Sequence, residues 1–303
     1  MSEPDLIHFK EIEIIGQGSY SKVVKVLLPS DSLTFGALKK RQIKNLIELS
    51  EGIPRDVIRE FSILKKVSHP NICRARLMKL DFENNEISIL LDYYEFDLVK
   101  FYRLNSIDES IIKNITFQAL KGLDYLHSHR IAHRDIKPSN ILLNNKNNVV
   151  LTDFGFSRTL EIFSAPYTNR VGSYSYRSPE LILGLQSYSA NIDIWAMGCS
   201  IIELITKDVL FKGKSDTEVL ISQATLFGDS YIASCKSIDN ENKLINIEIQ
   251  TNEGLMMKEL LDRLKSTVSS ECIELIFQML KVSPVDRVQT KEALQSSWFA
   301  NFT

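Results

Sequence analysis

Apolar residues follow two different periods along this chain, and the change falls near residue 92. Before it they alternate or form short β-branched runs, the signature of strands. Phe9 to Ile15 alternates loosely, Gly16-Gln17-Gly18-Ser19-Tyr20 interrupts it, and Val23 to Leu28 resumes, which predicts a strand, glycine turn, strand hairpin. Thr34 to Lys40 predicts a third strand and Ile87 to Leu91 another. Between them lies one helical pattern. Pro54 suits its first turn, Val57, Ile58, Phe61 and Leu64 recur at three- and four-residue spacing, and Ser68-His69-Pro70 stops it.

Beyond residue 95 the period becomes helical. Ser106-Ile107-Asp108-Glu109 resembles a capping box before a long amphipathic helix carrying Ile111, Ile112, Ile115, Leu120, Leu123 and Leu126. Apolar helices are predicted through Ile192 to Ile205 and Cys272 to Leu280. The polar stretch from about Asp229 to Leu264 predicts no element. The fold class is therefore α+β, a small strand-rich lobe followed by a larger helical one, with the boundary near Asp92 to Glu95. A length of 303 residues accommodates one two-lobed unit.

Composition narrows the class. Lys+Arg 36 against Asp+Glu 38 leaves a formal charge of -2, which argues against a nucleic-acid binder held by phosphate neutralisation. No apolar run reaches the ~18 residues of a membrane span, and Met1 to Lys10 has no apolar signal region. Cys73, Cys199, Cys235 and Cys272 are scattered, with no C-x-x-C pair, so a reducing compartment and a soluble intracellular protein are expected.

The candidate chemistry lies in His133-Arg134-Asp135-Ile136-Lys137-Pro138-Ser139-Asn140 and Asp153-Phe154-Gly155. Phosphoryl transfer from a nucleotide needs one carboxylate to orient the attacking hydroxyl and take its proton, and further oxygen ligands to hold magnesium. Asp135 is the candidate base, Lys137 would neutralise the transferred phosphoryl charge, and Asn140 and Asp153 are the candidate Mg²⁺ ligands. A charged turn between strands would explain Asp135 alone, not the ordered set. Gly16-Gln17-Gly18 at the hairpin tip would let backbone amides approach phosphate oxygens, although such glycines also serve turns alone, and Ser21 stands where the third glycine of G-x-G-x-x-G would be. Lys39, an ordinary strand lysine by itself, becomes a candidate phosphate ligand because Glu60 shares the inward helix face with Val57 and Leu64, where a carboxylate needs a partner. His133 reads as a packed turn histidine; His127 and His129 read as residues of a helix terminus. The Walker pattern of small-molecule kinases is missing.

Together these motifs resemble the eukaryotic protein kinases from about Phe9 to Phe299. Ser178-Pro179-Glu180 stands where that family has A-P-E, Asp193 matches its buried large-lobe aspartate, and Arg287 matches the arginine that pairs with Glu180. The resemblance implies a single kinase domain, with residues 9–92 and 96–299 as lobes and 93–95 as hinge. It also implies ATP and Mg²⁺ as cofactors and protein substrates. Lys137 resembles the serine/threonine branch. The adenine site would be walled by Ile15, Val23, Ala37, Leu91 and Leu142, with hinge backbone at Asp92 to Tyr94. Glu51-Gly52-Ile53-Pro54-Arg55-Asp56-Val57-Ile58-Arg59-Glu60 resembles the E-G-x-P-S-T-A-I-R-E helix of cyclin-dependent kinases and departs from it at Arg55-Asp56-Val57. That implies a cyclin-like partner on residues 51–60, a role in the cell cycle or transcription, and a nuclear or cytoplasmic location. The insert after Leu226-Phe227-Gly228 departs most from the family.

By the same resemblance Thr168 is the activating phosphorylation position, with Arg59, Arg134 and Arg158 as its phosphate ligands. Ser19 and Tyr20 match an inhibitory phosphorylation pair. Gly172 and Arg177 belong to the substrate pocket, where a carbonyl turned away from the peptide would favour proline after the phosphoacceptor. The alternative is a pseudokinase that binds a partner without efficient transfer, for which Ser21 and Thr152 are the only departures near the site.

Overall fold

A computed structural model describes residues 9–18, 21–29, 34–42, 53–81, 84–160, 172–185, 188–238, 255–300 and 302, with the backbone alone at 55 and 56. Ser19, Tyr20, Glu51, Gly52 and Thr168 lie outside these residues. The alternating first third of the chain forms an antiparallel sheet in the order β1-β2-β3-β5-β4, from β1 (Lys10–Gln17), β2 (Ser21–Leu27), β3 (Phe35–Gln42), β4 (Ala75–Asp81) and β5 (Glu86–Asp92). Successive strand residues point to opposite faces. Val24, Val26, Leu28, Leu38 and Leu90 therefore cluster on one side. Ala37, Ile87, Ile89 and Leu91 join the main core with Val57 and Leu64 of α1 (Arg55–Lys66) on the other. Lys39, two residues from Ala37, faces the same way. Sequence pattern misses β4 because Arg76 and Lys79 break its alternation and its pairing with β5 is irregular between Ala75 and Leu77.

In α1, Val57 and Leu64 are buried as the spacing predicts, but Ile58 is 44% exposed. Adjacent helix positions are about 100° apart, so Val57 and Ile58 do not share a face. Pro54 precedes the helix and its carbonyl accepts from Val57 N. The helix stops at Val67, before Ser68-His69-Pro70.

Three residues beyond β5 the chain enters β6 (Phe96–Asp97), α2 (Leu98–Leu104) and α3 (Glu109–Ser128). The cap of α3 differs from the sequence expectation. Asp108, not Ser106, accepts from Ile111 N at 2.9 Å. Glu109 reaches Trp298 Nε1 at 2.8 Å rather than folding back on a capping box. A tertiary hydrogen bond has taken the side chain the local motif would have used. Short strands follow: β7 (Ile131–Ala132), β8 (Ile141–Leu143), β9 (Val149–Leu151) and β10 (Arg158–Thr159). β6, β8 and β9 form one small sheet, and β7 pairs with β10.

The C-terminal part is helical: α4 (Pro179–Ile182), α5 (Asn191–Thr206), α6 (Asp216–Phe227), α7 (Asp229–Ile238), α8 (Leu255–Lys265), α9 (Ser270–Met279) and α10 (Thr290–Leu294). α5 is buried along nearly its whole length, and each fully buried Ile or Leu on it contributes about 1.5–3 kcal/mol. α7 and α8 fall in the stretch for which the sequence predicts nothing. Their buried positions are few, Tyr231 and Cys235 in one and Leu260 and Leu264 in the other, so the period is diluted by polar residues. Among the described residues no helix is long and apolar enough to cross a membrane, and all four cysteines are buried and outside any disulfide.

Candidate active site

The catalytic-loop candidates lie between β7 and β8, on a support that starts in α5. Asp193, fully buried there, accepts His133 N and Arg134 N, each at 2.8 Å, and meets His127 Nε2 at 2.9 Å. Arg134 adopts a positive φ of 67°. This conformation is uncommon for a residue with a Cβ and persists where surrounding bonds hold it. Burial works to raise the Asp193 pKa, but His127, His133 and the backbone donor outweigh it and hold it below the ordinary range. His127 thus does more than end a helix: it braces the aspartate under the loop. His133 packs edge-on against Phe154 at 4.8 Å and bonds the Thr152 carbonyl at 2.9 Å, the packed role expected of it.

The loop places Asp135 among four donors. Its Oδ2 accepts Lys137 Nζ at 2.8 Å and Asn140 Nδ2 at 2.9 Å. Its Oδ1 accepts Ser173 N at 2.9 Å and Ser173 Oγ at 3.1 Å. Lys137 Nζ also reaches Ser173 Oγ at 2.8 Å. Asn140 gives a second bond to the Asp135 carbonyl at 2.8 Å, which fixes its amide and turns Oδ1 away as a donor atom for a cation. Ser173 escapes the sequence reading because nothing local marks it; its only signal is its place after Gly172.

Across the cleft, Lys39 Nζ lies 2.7 Å from Glu60 Oε1 and 2.9 Å from Asp153 Oδ1. Glu60 is 4% exposed, so the inward carboxylate has the partner its position demands. Burial works to lower the Lys39 pKa, but the two carboxylates outweigh it and hold it above the ordinary lysine range. Burial likewise works to raise Asp153, and Lys39 outweighs it, leaving Asp153 low and ionised.

One cleft of about 620 Å³ collects these groups. Ile15, Gly16, Gln17 and Gly18 come to it from β1 and the following turn, Val23 from β2, and Ala37 and Lys39 from β3. Leu91, Asp92 and Tyr94 come from the end of β5 and the crossing, and Lys137, Asn140, Leu142 and Asp153 from the opposite wall. Cys73 and Thr152 line it too, although the sequence does not assign them to it. Burial pushes the Cys73 thiol up to about 12, which keeps it protonated. The oxygen donors of Asn140 and Asp153 suit magnesium, which takes few protein ligands and shares the rest with phosphates and water. Among the described residues no group of three His, Cys, Asp or Glu forms a separate metal cluster.

Beside the loop, Gly172 has φ +74, and Arg177 Nη2 donates to its carbonyl at 3.0 Å. Arg177 Nη1 bonds Asp216 at 2.7 Å, and its guanidinium lies 4.2 Å from the Tyr174 ring centre. Of the three arginines assigned to a phosphate, Arg59 is exposed on α1 and Arg158 sits half-buried on β10. Arg134 is buried, with Nε on the Phe156 carbonyl at 2.6 Å and Nη1 on the Tyr188 hydroxyl at 2.9 Å.

An ion-paired strand lysine, the oxygen-bearing side chains of Asn140 and Asp153 in the cleft, and a hydrogen-bonded loop aspartate beside it make up the arrangement of a phosphotransferase of the protein kinase type. The chain belongs to the protein kinase family: the Protein kinase domain model matches residues 9–299. It is similar to cell division control protein 2 homolog 3 of Trypanosoma brucei brucei, with 31% identity over 299 residues, 97% of this chain and 92% of that protein. It is also similar to a chain in the crystal structure of the yeast RNA Pol II CTD kinase CTDK-1 complex. That match has a TM-score of 0.83 and 29% identity, covering 99% of this chain and 95% of the other.

Proposed function

We propose that this kinase is of the cyclin-dependent type and transfers the γ-phosphoryl group of ATP to serine or threonine hydroxyls of proteins, with proline following the acceptor. The observation that carries the reading is the Ser173 hydroxyl, held between Asp135 Oδ1 at 3.1 Å and Lys137 Nζ at 2.8 Å. A substrate hydroxyl held the same way would give its proton to Asp135 as its oxygen bonds to the γ-phosphorus and the bond to the β-phosphate oxygen breaks. Lys137 would then face the transferred phosphoryl oxygens, and Lys39, kept in place by Glu60, the phosphates of the nucleotide. When bound by Asn140 and Asp153, magnesium supplies neutralisation of the phosphate charge. The adenine would lie between Val23, Ala37 and Leu142, beside the 93–95 hinge that joins lobes 9–92 and 96–299.

The two relatives support control of cell division or of transcription, and a nuclear or cytoplasmic location goes with that reading. A cyclin-like subunit would seat on residues 51–60, where Ile58 and Arg59 are exposed. Phosphate on Thr168 would recruit Arg59, Arg134 and Arg158, and phosphate on Ser19 or Tyr20 would oppose the nucleotide. The test is radiolabelled phosphate transfer to a Ser-Pro peptide by the purified native complex, parent against Asp153→Asn. Transfer by the parent alone is expected; no transfer by either would favour a scaffold.

A further inference from the structure

The Gly172 carbonyl, turned onto Arg177, is the end of a hydrogen-bonded chain that begins in the helical core. Gln223 on α6 is 0% exposed. Its Nε2 donates to the Arg177 carbonyl at 2.9 Å, and its Oε1 accepts the Tyr231 hydroxyl. Tyr231 on α7 is buried too. A carboxamide in an apolar core is costly unless both ends are used. Only one orientation serves here, because the reverse would set the Gln223 oxygen against the Arg177 carbonyl oxygen. Tyr231 donates and so fixes that orientation. Arg177 needs the anchor, because among the described residues its buried Nε has no hydrogen-bond partner, and the guanidinium is held through Asp216, Gly172 and the Tyr174 ring.

We propose that Gln223 and Tyr231 are positioning residues for the substrate-binding loop. The relay holds Arg177 so that the Gly172 carbonyl stays turned from the peptide, and it thereby sets discrimination at the residue after the phosphoacceptor. This rests on the kinase reading above.

The experiment uses the full chain and two variants, Gln223→Met and Tyr231→Phe; the second keeps the side-chain volume in case the first does not fold. Hydrogen exchange over residues 172–178 is read alongside kcat/KM on matched Ser-Pro and Ser-Ala peptides. Losing one anchoring bond should speed exchange there by about tenfold and narrow the Pro/Ala ratio by about the same factor. The effect should appear in peptide KM, with nucleotide KM unmoved. Parent-like exchange in a folded variant overturns the relay, and so does faster exchange with an unchanged Pro/Ala ratio. A parent without turnover counts against the kinase reading, while exchange still decides the relay.

Discussion

Lys39 and Glu60 form an ion pair with both carboxylate oxygens engaged, at 2.7 and 2.9 Å, and it joins β3 to α1 across the roof of the cleft. Whatever moves α1 moves Lys39, the proposed phosphate ligand. Glu60→Gln keeps the shape and removes the charge. Charge-assisted hydrogen bonds are worth about 1.5–3 kcal/mol, so kcat/KM for ATP should fall by about 10- to 100-fold. Lys39→Met should abolish transfer. Steady-state kinetics with varied ATP checks both.

Asp193 makes stability depend on pH at the acid end. Its folded pKa lies below the ordinary 3.8, although burial pushes the other way, so the unfolded chain binds the proton more tightly. The stabilisation is complete above that ordinary value and is lost as pH falls through the lower folded one. Urea midpoints measured from pH 7 down to 2 should drop steeply below 3.8 in the parent. They should fall less steeply in Asp193→Asn, which is less stable at neutral pH.

Arg287 is 2% exposed and grips Glu180 at 2.7 and 3.0 Å, with further bonds to the carbonyls of Lys281, Val282 and Asn191. Removing one member of a buried pair strands the other. Arg287→Met should cost about 3–5 kcal/mol, and adding Glu180→Gln should recover part of it. Denaturant unfolding of the singles and the double measures the coupling.

Gly172 cannot accept a side chain without movement, because an added Cβ would lie 2.5 Å from the Arg134 carbonyl oxygen at φ +74. The strain of a β-carbon in this conformation is about 1–3 kcal/mol. Gly172→Val should therefore raise peptide KM more than Gly172→Ala, with nucleotide KM unchanged, in a two-substrate titration.

Much of the site was legible because its parts are short and local. Asp135, Lys137 and Asn140 lie within six residues of one another, Asp153 follows closely, and the inward face of Glu60 follows from a three- and four-residue spacing. The hairpin, the main helices and the two-regime division follow from period alone. Where a tertiary demand competed with a local motif, the local reading failed. Glu109 left its capping box for Trp298, and α7 and α8 show too few apolar positions to reveal a period.

By itself the sequence determined the residue types the chemistry needs, their order, and the elements that carry them, since each depends on neighbours a few positions apart. Only the tertiary structure decided the partners: Ser173 on Asp135, 38 residues away, His127 under Asp193 at 66, and Gln223 on the Arg177 carbonyl at 46. A hydrogen bond between distant segments has no period in the sequence. It exists because burial leaves each polar group only the partner that folding brings to it.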